Sequence, residues 1–271
     1  MDPVSPGEVI CGNRILEMCH HAGVAYAKTD YILTPHPGAP GQIVTHNGGW
    51  NIRRGPHGWF AVTSPNCSVP FAEIPEGWHW WCLNAEADDH RLHGVPLGVD
   101  NWEVPECGRG SKHYTLPPDG SLAGMLILDR LGKRLPLVNR VYLRLRLDTA
   151  PYERTYCQRA LENAPFVTSV DDRVDTDSFF DALASHEFVL CPEGNGIDCH
   201  RIWEALYLGC WPIVKRTRAM LEFKGLPILW VDSWDDVQEW LLDAHLEKVK
   251  DGQFSMEKAT LSYWRRAICQ A

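Results

Sequence analysis

FVLCPEGNGIDCHRIWEALYLGCWPIV, residues Phe188 to Val214, holds a strand, a loop, a helix and a second strand in one run. FVL is a short apolar stretch of the kind a sheet buries. Pro192, Gly194 and Gly196 then break it into a polar loop. The next stretch, DCHRIWEALYLG, has little solvated face and stops at Gly209, a residue type that ends helices in the left-handed conformation. WPIVK resumes the sheet. Strand, helix and strand in this order predict a parallel sheet wrapped by helices.

The same rhythm extends in both directions. RVYLRLRL (140–147) alternates as a strand, and TAPYERTYCQRALEN follows as a helix with Thr149 as its cap and Pro151 in its first turn. PFVTSV is a strand, and DTDSFFDALASH is a helix carrying Phe179, Phe180 and Leu183. LPILWV adds a strand, and SWDDVQEWLLDAHLEKV reads as a helix capped by Ser233 with acidic residues in its first turn. SMEKATLSYWRRAIC is a last helix with Leu261, Trp264 and Ile268 on one side. Upstream the texture is less regular. GNRILEMCHHAGVAYA predicts a helix, Gln42 to Thr45 a strand before a glycine turn, and LAGMLILDRLGKRLP a helix. Between them GWFAVTS, WHWWCLN and LHGVPLGVDN are short strands among Gly, Pro and Trp residues, and 103–120 is loop-like. The change of texture near 135–140 sets the expected domains. Residues 1–137 form an N-terminal α/β domain, 138–245 a C-terminal α/β domain, and 246–271 a helix returning to the first. The fold class is α/β, two halves facing a cleft.

The 271 residues are 45% hydrophobic and 23% charged, enough for a large core. A net charge of −9 argues against a broad nucleic-acid surface, which needs clustered Lys and Arg. A local anion site is still allowed, because Arg201, Lys215, Arg216 and Arg218 crowd one region. Ten cysteines without a zinc-ribbon CxxC pair read as small buried hydrophobes in a reducing compartment. MDPVSPGEVICG lacks the basic and apolar runs of a signal peptide, and no stretch is apolar enough to span a bilayer. The expectation is a cytoplasmic protein, or a soluble domain of a larger one.

In an open α/β sheet, ligands bind at the carboxyl ends of the strands. PEGNGID sits at such an end. Gly194 and Gly196 allow close backbone approach, and the N–H groups of the helix start favour a phosphate. Arg201 in the first turn matches a diphosphate with two bonds, and Glu204, three residues on, shares its face and suits ribose hydroxyls. The plainer alternative is a turn followed by a surface Arg–Glu ion pair of little energetic weight. A Walker loop is excluded, since GxxxxGK[ST] is absent.

The 188–214 run, followed by LPILWVDSW, resembles the C-terminal half of exostosin-like glycosyltransferases. The shared pattern is a strand, an sP-x-G-n loop, an R-x-x-E-A segment leading to G-C-x-P, then LP and a strand ending in W. VTHNG, WWCLNAEADDHRLHGVPLGVDN and DTAPYER are similar to the shorter viral and microbial members. The resemblance covers about 42 to 240 and is densest at 188–214. It implies a GT-B fold, two Rossmann-like domains facing a cleft, with the last helix packing back across it. It implies transfer of a sugar from a nucleotide-sugar donor, a UDP-sugar such as UDP-xylose or another UDP-hexose or pentose, to a hydroxyl of a glycan acceptor. It implies no bound metal and no other cofactor. Carried over, Arg201 holds the diphosphate, Glu204 the ribose, and Glu193, Gly194, Asn195 and Gly196 line the phosphates, with Arg154 and His200 beside them. Asn47, Trp50 and Trp81 fall on the acceptor side. Where some relatives carry an acidic residue after HN-x, this chain has Gly48 and Gly49.

Inversion at the anomeric centre needs a base for the acceptor hydroxyl. His46 and Asp198 are the candidates, each with a structural alternative: Asp198 as an N-cap, His46 bonded to its own turn. Because the acidic residue after HN-x is missing, a non-catalytic nucleotide- or glycan-binding module is the alternative function.

Overall fold

The computed structural model describes residues 2–11, 14–15, 18, 79–99, 126–171 and 174–268, with the backbone alone of 25–27, 42–45, 51–55, 58–64, 67–71, 122–125 and 269. Four strands in the first part, β1 (Ala25–Ala27), β2 (Gln42–Thr45), β6 (His79–Cys82) and β7 (Leu92–Gly94), pair in that order, all parallel. Between β2 and β6 the chain makes an antiparallel meander of β3 (Asn51–Gly55), β4 (Gly58–Ser64) and β5 (Cys67–Phe71). The second parallel sheet contains β8 (Asn139–Leu143), β9 (Val167–Ser169), β10 (His186–Leu190), β11 (Trp211–Lys215) and β12 (Leu229–Val231), in the order β12-β11-β10-β8-β9. The expected α/β class, with two parallel sheets, is the one observed.

The second sheet is buried on both faces, which is why its strands read as continuous apolar runs. Tyr142, Val189 and Val214 point into one core, while Val141, Leu143, Phe188, Leu190 and Ile213 point into the other. Helices α1 (Leu122–Arg130), α3 (Thr176–Ala184) and α4 (His200–Leu208) cover the first face. The second is covered by α2 (Pro151–Leu161) and α5 (Glu239–Lys250), with Trp234 fully buried beside them. α1 is tied to α3 by Arg130, which reaches Asp177 at 2.6 Å and Asp181 at 2.9 Å. The last helix, α6 (Leu261–Cys269), turns back to the start of the chain. There the backbone N–H and hydroxyl of Ser262 both donate to the Glu8 carboxylate, and Trp264 meets the edge of Trp81.

Several boundaries differ from the sequence reading, for local physical reasons. Ala25–Ala27 is a strand, not the end of a helix, because it finds β2 as a partner. The alternation of 140–147 continues past the sheet, but the strand stops at Leu143, where its register with β9 and β10 runs out. Thr149 does not cap α2; Ala150 holds that position in the left-handed region (φ 46°, ψ 55°) with no side-chain cap. Ser233 does form a capping box, with Asp236, but it caps a separate 3-10 turn, Trp234–Asp236. Buried Val237 then runs extended into the core, and α5 starts only at Glu239. Among the described residues, no helix is long and apolar enough to cross a membrane.

Candidate functional site

The strand order β9-β8-β10-β11-β12 winds outward in both directions from between β8 and β10. Loops after two such strands diverge, and the crevice between them is where sheets of this kind bind ligands. Here those loops are residues 144–150, entering α2, and residues 191–199, entering α4.

Arg154, in the first turn of α2, spans the crevice. Its Nε donates to the Glu193 carbonyl at 2.8 Å and one Nη to the Arg146 carbonyl at 2.9 Å. The other Nη lies over Gly194, 3.0 Å from where a Cβ would stand. Left-handed Ala150 costs roughly 1–2 kcal/mol for a residue with a Cβ, and such strain concentrates at functional sites. It sits where the chain turns to aim α2 at the loop.

Arg201 approaches from α4. One Nη donates to the Leu190 carbonyl at 3.3 Å, the guanidinium lies 5.6 Å from the Phe179 ring centre, and the buried Nε has no hydrogen-bond partner. Arg201 forms no ion pair with Glu204 or with any other carboxylate among the described residues, so the surface ion-pair alternative is not realised. Burial and then the Arg201 charge hold the Arg154 pKa below the ordinary guanidinium value. Cys199 and Asp148 act in the opposite sense on Arg154, and among the described residues no carboxylate forms an ion pair with either arginine.

The other cations of the region are neutralised. Lys215 lies 3.1 Å from Glu153, Arg216 3.0 Å from Asp232, and Arg218 3.9 Å from Asp88. Lys215, which the sequence placed near a local anion site, lines an open pocket with Glu153, Thr217, Trp234, Cys191, Pro192 and Glu193, and Glu153, Thr217 and Trp234 were not singled out from sequence. Glu153 also accepts from the Trp234 indole at 2.7 Å. The signal for Lys215, Thr217 and Trp234 was their place at the carboxyl ends of β11 and β12, and for Glu153 its place in the helix that follows β8.

Gly194→Val would push a branched side chain against Arg154. The residue has ordinary backbone geometry, so the fold should tolerate it. Losing one charge-assisted bond of about 1.5–3 kcal/mol should weaken pyrophosphate binding, read by calorimetry, about tenfold or more with little change in melting temperature.

Asp198 is 3% exposed and serves neither of its expected roles in this geometry. The N-cap of α4 is Cys199. The Asp198 carboxylate instead accepts from the Leu97 N–H at 2.7 Å and the Trp203 indole at 2.8 Å, while its own N–H donates to the Asn84 side chain at 2.8 Å. Burial pushes its pKa up to about 8. His200 also reaches the first part of the chain, Nδ1 donating to the Gly98 carbonyl at 2.8 Å. Glu204 is 2% exposed within the packed helix. Glu193 and Asn195 are exposed on the loop, and Gly194 N–H donates to the Gly196 carbonyl at 2.9 Å to form its turn. Trp81, expected on the acceptor side, spends its surface on packing: it is buried and stacked on His93 at 4.3 Å. His46, Asn47 and Trp50 lie outside the described residues.

Residues 163–267 match the family model described as the RXYLT1 C-terminal domain. This stretch is similar to that domain. It contains the 191–199 loop and Arg201, and begins after Arg154 and the central strand β8. Two solved structures are similar to the chain as a whole. One is the spinosyn rhamnosyltransferase SpnG complexed with thymidine diphosphate, at 14% identity and a TM-score of 0.33, covering 91% of this chain and 64% of that one. The other is SpnG without that ligand in its description, at 15% identity and a TM-score of 0.32, covering 95% and 66%. The chain thus spans just under two thirds of the length of these enzymes. No curated protein sequence matches it.

Proposed function

We propose that the chain transfers a sugar from a nucleotide-sugar donor to a hydroxyl of a glycan acceptor. A UDP-sugar, either UDP-xylose or another UDP-hexose or pentose, is the donor class. One observation carries the reading: Arg154 lies on the glycine loop and Arg201 on the end of the strand that leads into it, and among the described residues no carboxylate forms an ion pair with either. A departing nucleoside diphosphate supplies the missing charge. Guanidinium N–H groups aimed at it stabilise the leaving group as the glycosidic bond breaks, which supports chemistry without a bound metal. The reaction is read as inverting, with a base drawn from elsewhere than Asp198, whose two oxygens are both engaged in the core.

That engagement favours one second reading, a module that binds the nucleotide without turning it over. Incubation with UDP- and GDP-sugars and a panel of glycan acceptors separates the two. A ligand at a hundredfold excess over its Kd stabilises by about 2.7 kcal/mol, a shift of several degrees that a melting curve resolves. Stabilisation by UDP with release of nucleotide in the presence of an acceptor is the expected result. Stabilisation without release selects the binding module. No stabilisation by any nucleotide overturns both.

A further inference from the structure

Glu153 and Arg154 are neighbours at the start of α2, and both meet the glycine loop at Glu193. Arg154 bonds the Glu193 carbonyl, while Glu153 and Glu193 together line the adjoining pocket. A carboxylate beside an anion site repels the ligand unless its charge is balanced. Here Lys215 balances it, with Nζ 3.1 Å from Oε1 and 3.3 Å from Oε2. The Trp234 indole also donates to Oε1, at 2.7 Å. The ammonium in turn lies 5.9 Å from the centre of the Tyr156 ring, whose hydroxyl donates to Asp235 at 2.5 Å.

Both groups are therefore held by their neighbours, yet neither is sealed off. The Glu153 and Lys215 side chains are 22% and 32% exposed, and both line the pocket. A carboxylate offers about four lone-pair positions and an ammonium three N–H groups. Oε1 already takes two donors, whereas Oε2 has only the longer contact with Lys215. Oε2 can accept one more hydrogen bond, and Nζ can donate one more. An acceptor and a donor side by side match two adjacent hydroxyls, one giving its proton to Oε2 and the other receiving from Nζ. A phosphate would meet the carboxylate as a like charge, and an apolar group would leave both unpaired. The sequence assigned the ribose hydroxyls to Glu204, but that residue is 2% exposed within α4.

We propose that Glu153, together with Lys215, binds the hydroxyl pair of the ribose in the nucleotide whose diphosphate Arg154 and Arg201 hold. The assignment rests on the nucleotide reading. Ribose is joined directly to the phosphates of a nucleoside diphosphate, so its site must adjoin theirs. The wall at Glu193, shared by Arg154 and the pocket, makes the two sites adjoin.

Calorimetry on the full chain with UDP, its 2′,3′-dideoxy analogue and inorganic pyrophosphate tests this. The parent chain should bind UDP about tenfold or more tightly than the dideoxy analogue, the size expected of a hydrogen bond to a charged group. In Glu153→Gln that preference should fall to about twofold or less. The amide keeps an oxygen for the Trp234 indole, but its nitrogen cannot accept from a hydroxyl. Lys215→Met leaves the bond between Glu153 and Trp234 in place and should lose part of the preference, so the test does not hang on one variant folding. The deciding quantity is the ratio of the two nucleotides within each protein, whatever its affinity for pyrophosphate. A merely structural role for the pair would weaken both nucleotides alike and leave the ratio unchanged. Equal binding of UDP and its dideoxy analogue by the parent overturns the assignment. So does a preference that survives in both variants, which would give the hydroxyls to another carboxylate while the nucleotide reading stands. A parent that binds pyrophosphate but not UDP removes the nucleotide reading itself, and this assignment with it.

Discussion

Arg201→Ala binds UDP about tenfold to a hundredfold more weakly than the parent chain, with a melting temperature close to the parent's. The size follows from removing one or two charge-assisted hydrogen bonds, at about 1.5–3 kcal/mol each. The unchanged stability is the more discriminating half. In the folded chain Arg201 makes a single long bond, to the Leu190 carbonyl, and leaves its buried Nε unsatisfied beside a second like charge. Deleting it removes little that holds the fold together and relieves Arg154. A structural arginine, such as Arg130 between Asp177 and Asp181, would show the reverse pattern. Arg201→Lys should recover only part of the affinity, because an ammonium keeps the charge but not the two-pronged geometry. Calorimetry on the two variants decides the matter; parent-like affinity in Arg201→Ala would remove Arg201 from the site.

Asp198→Ala loses about 3 kcal/mol or more of folding stability, a large share of the total for a marginally stable chain. The substitution leaves the Leu97 N–H and the Trp203 indole N–H buried without an acceptor. Urea denaturation followed by tryptophan fluorescence measures it, and a shift below about 1 kcal/mol would mean that water replaces the carboxylate. Titration gives a second, independent reading. Burial raises this carboxyl from an ordinary value of 3.8 to about 8, so between these limits the folded state holds a proton that the unfolded state has lost. Stability from this group is therefore fully present below about pH 4 and declines as pH rises toward 8. The stability difference between the parent and Asp198→Asn should fall across that window, since asparagine does not titrate there. Parallel pH profiles for the two would show that the carboxyl titrates normally.

Much of the second sheet was legible because its strands are buried on both faces and its helices stop at visible signals, as at left-handed Gly209 (φ 70°). Strand ends were less so. Nothing within RVYLRLRL marks Leu143 as the last paired residue, because that is decided by the lengths of β9 and β10. At the site, Arg201 was legible from its place after the loop. The neutralisation of Lys215 was not, since Glu153 is 62 residues away in sequence. Asp198 misled for the same reason: its partners Leu97 and Asn84 are 101 and 114 residues distant, and locally it looks like a cap.

The bonds from Ser262 to Glu8 join residues 254 positions apart. Ile10 N–H and the Ala259 carbonyl, likewise far apart in the chain, meet on the two sides of the Tyr207 hydroxyl. During synthesis residues 8–10 must therefore wait until residues 259–262 are made before these partners exist. Closing so long a loop costs little more than closing one half its length, about 0.6 kcal/mol per doubling. In time, however, such distant pairing is slow. Residues 8–10 and the segment from Ala259 through Ser262 thus act as a clasp, and until it fastens Trp81 and Trp264 do not meet edge to face.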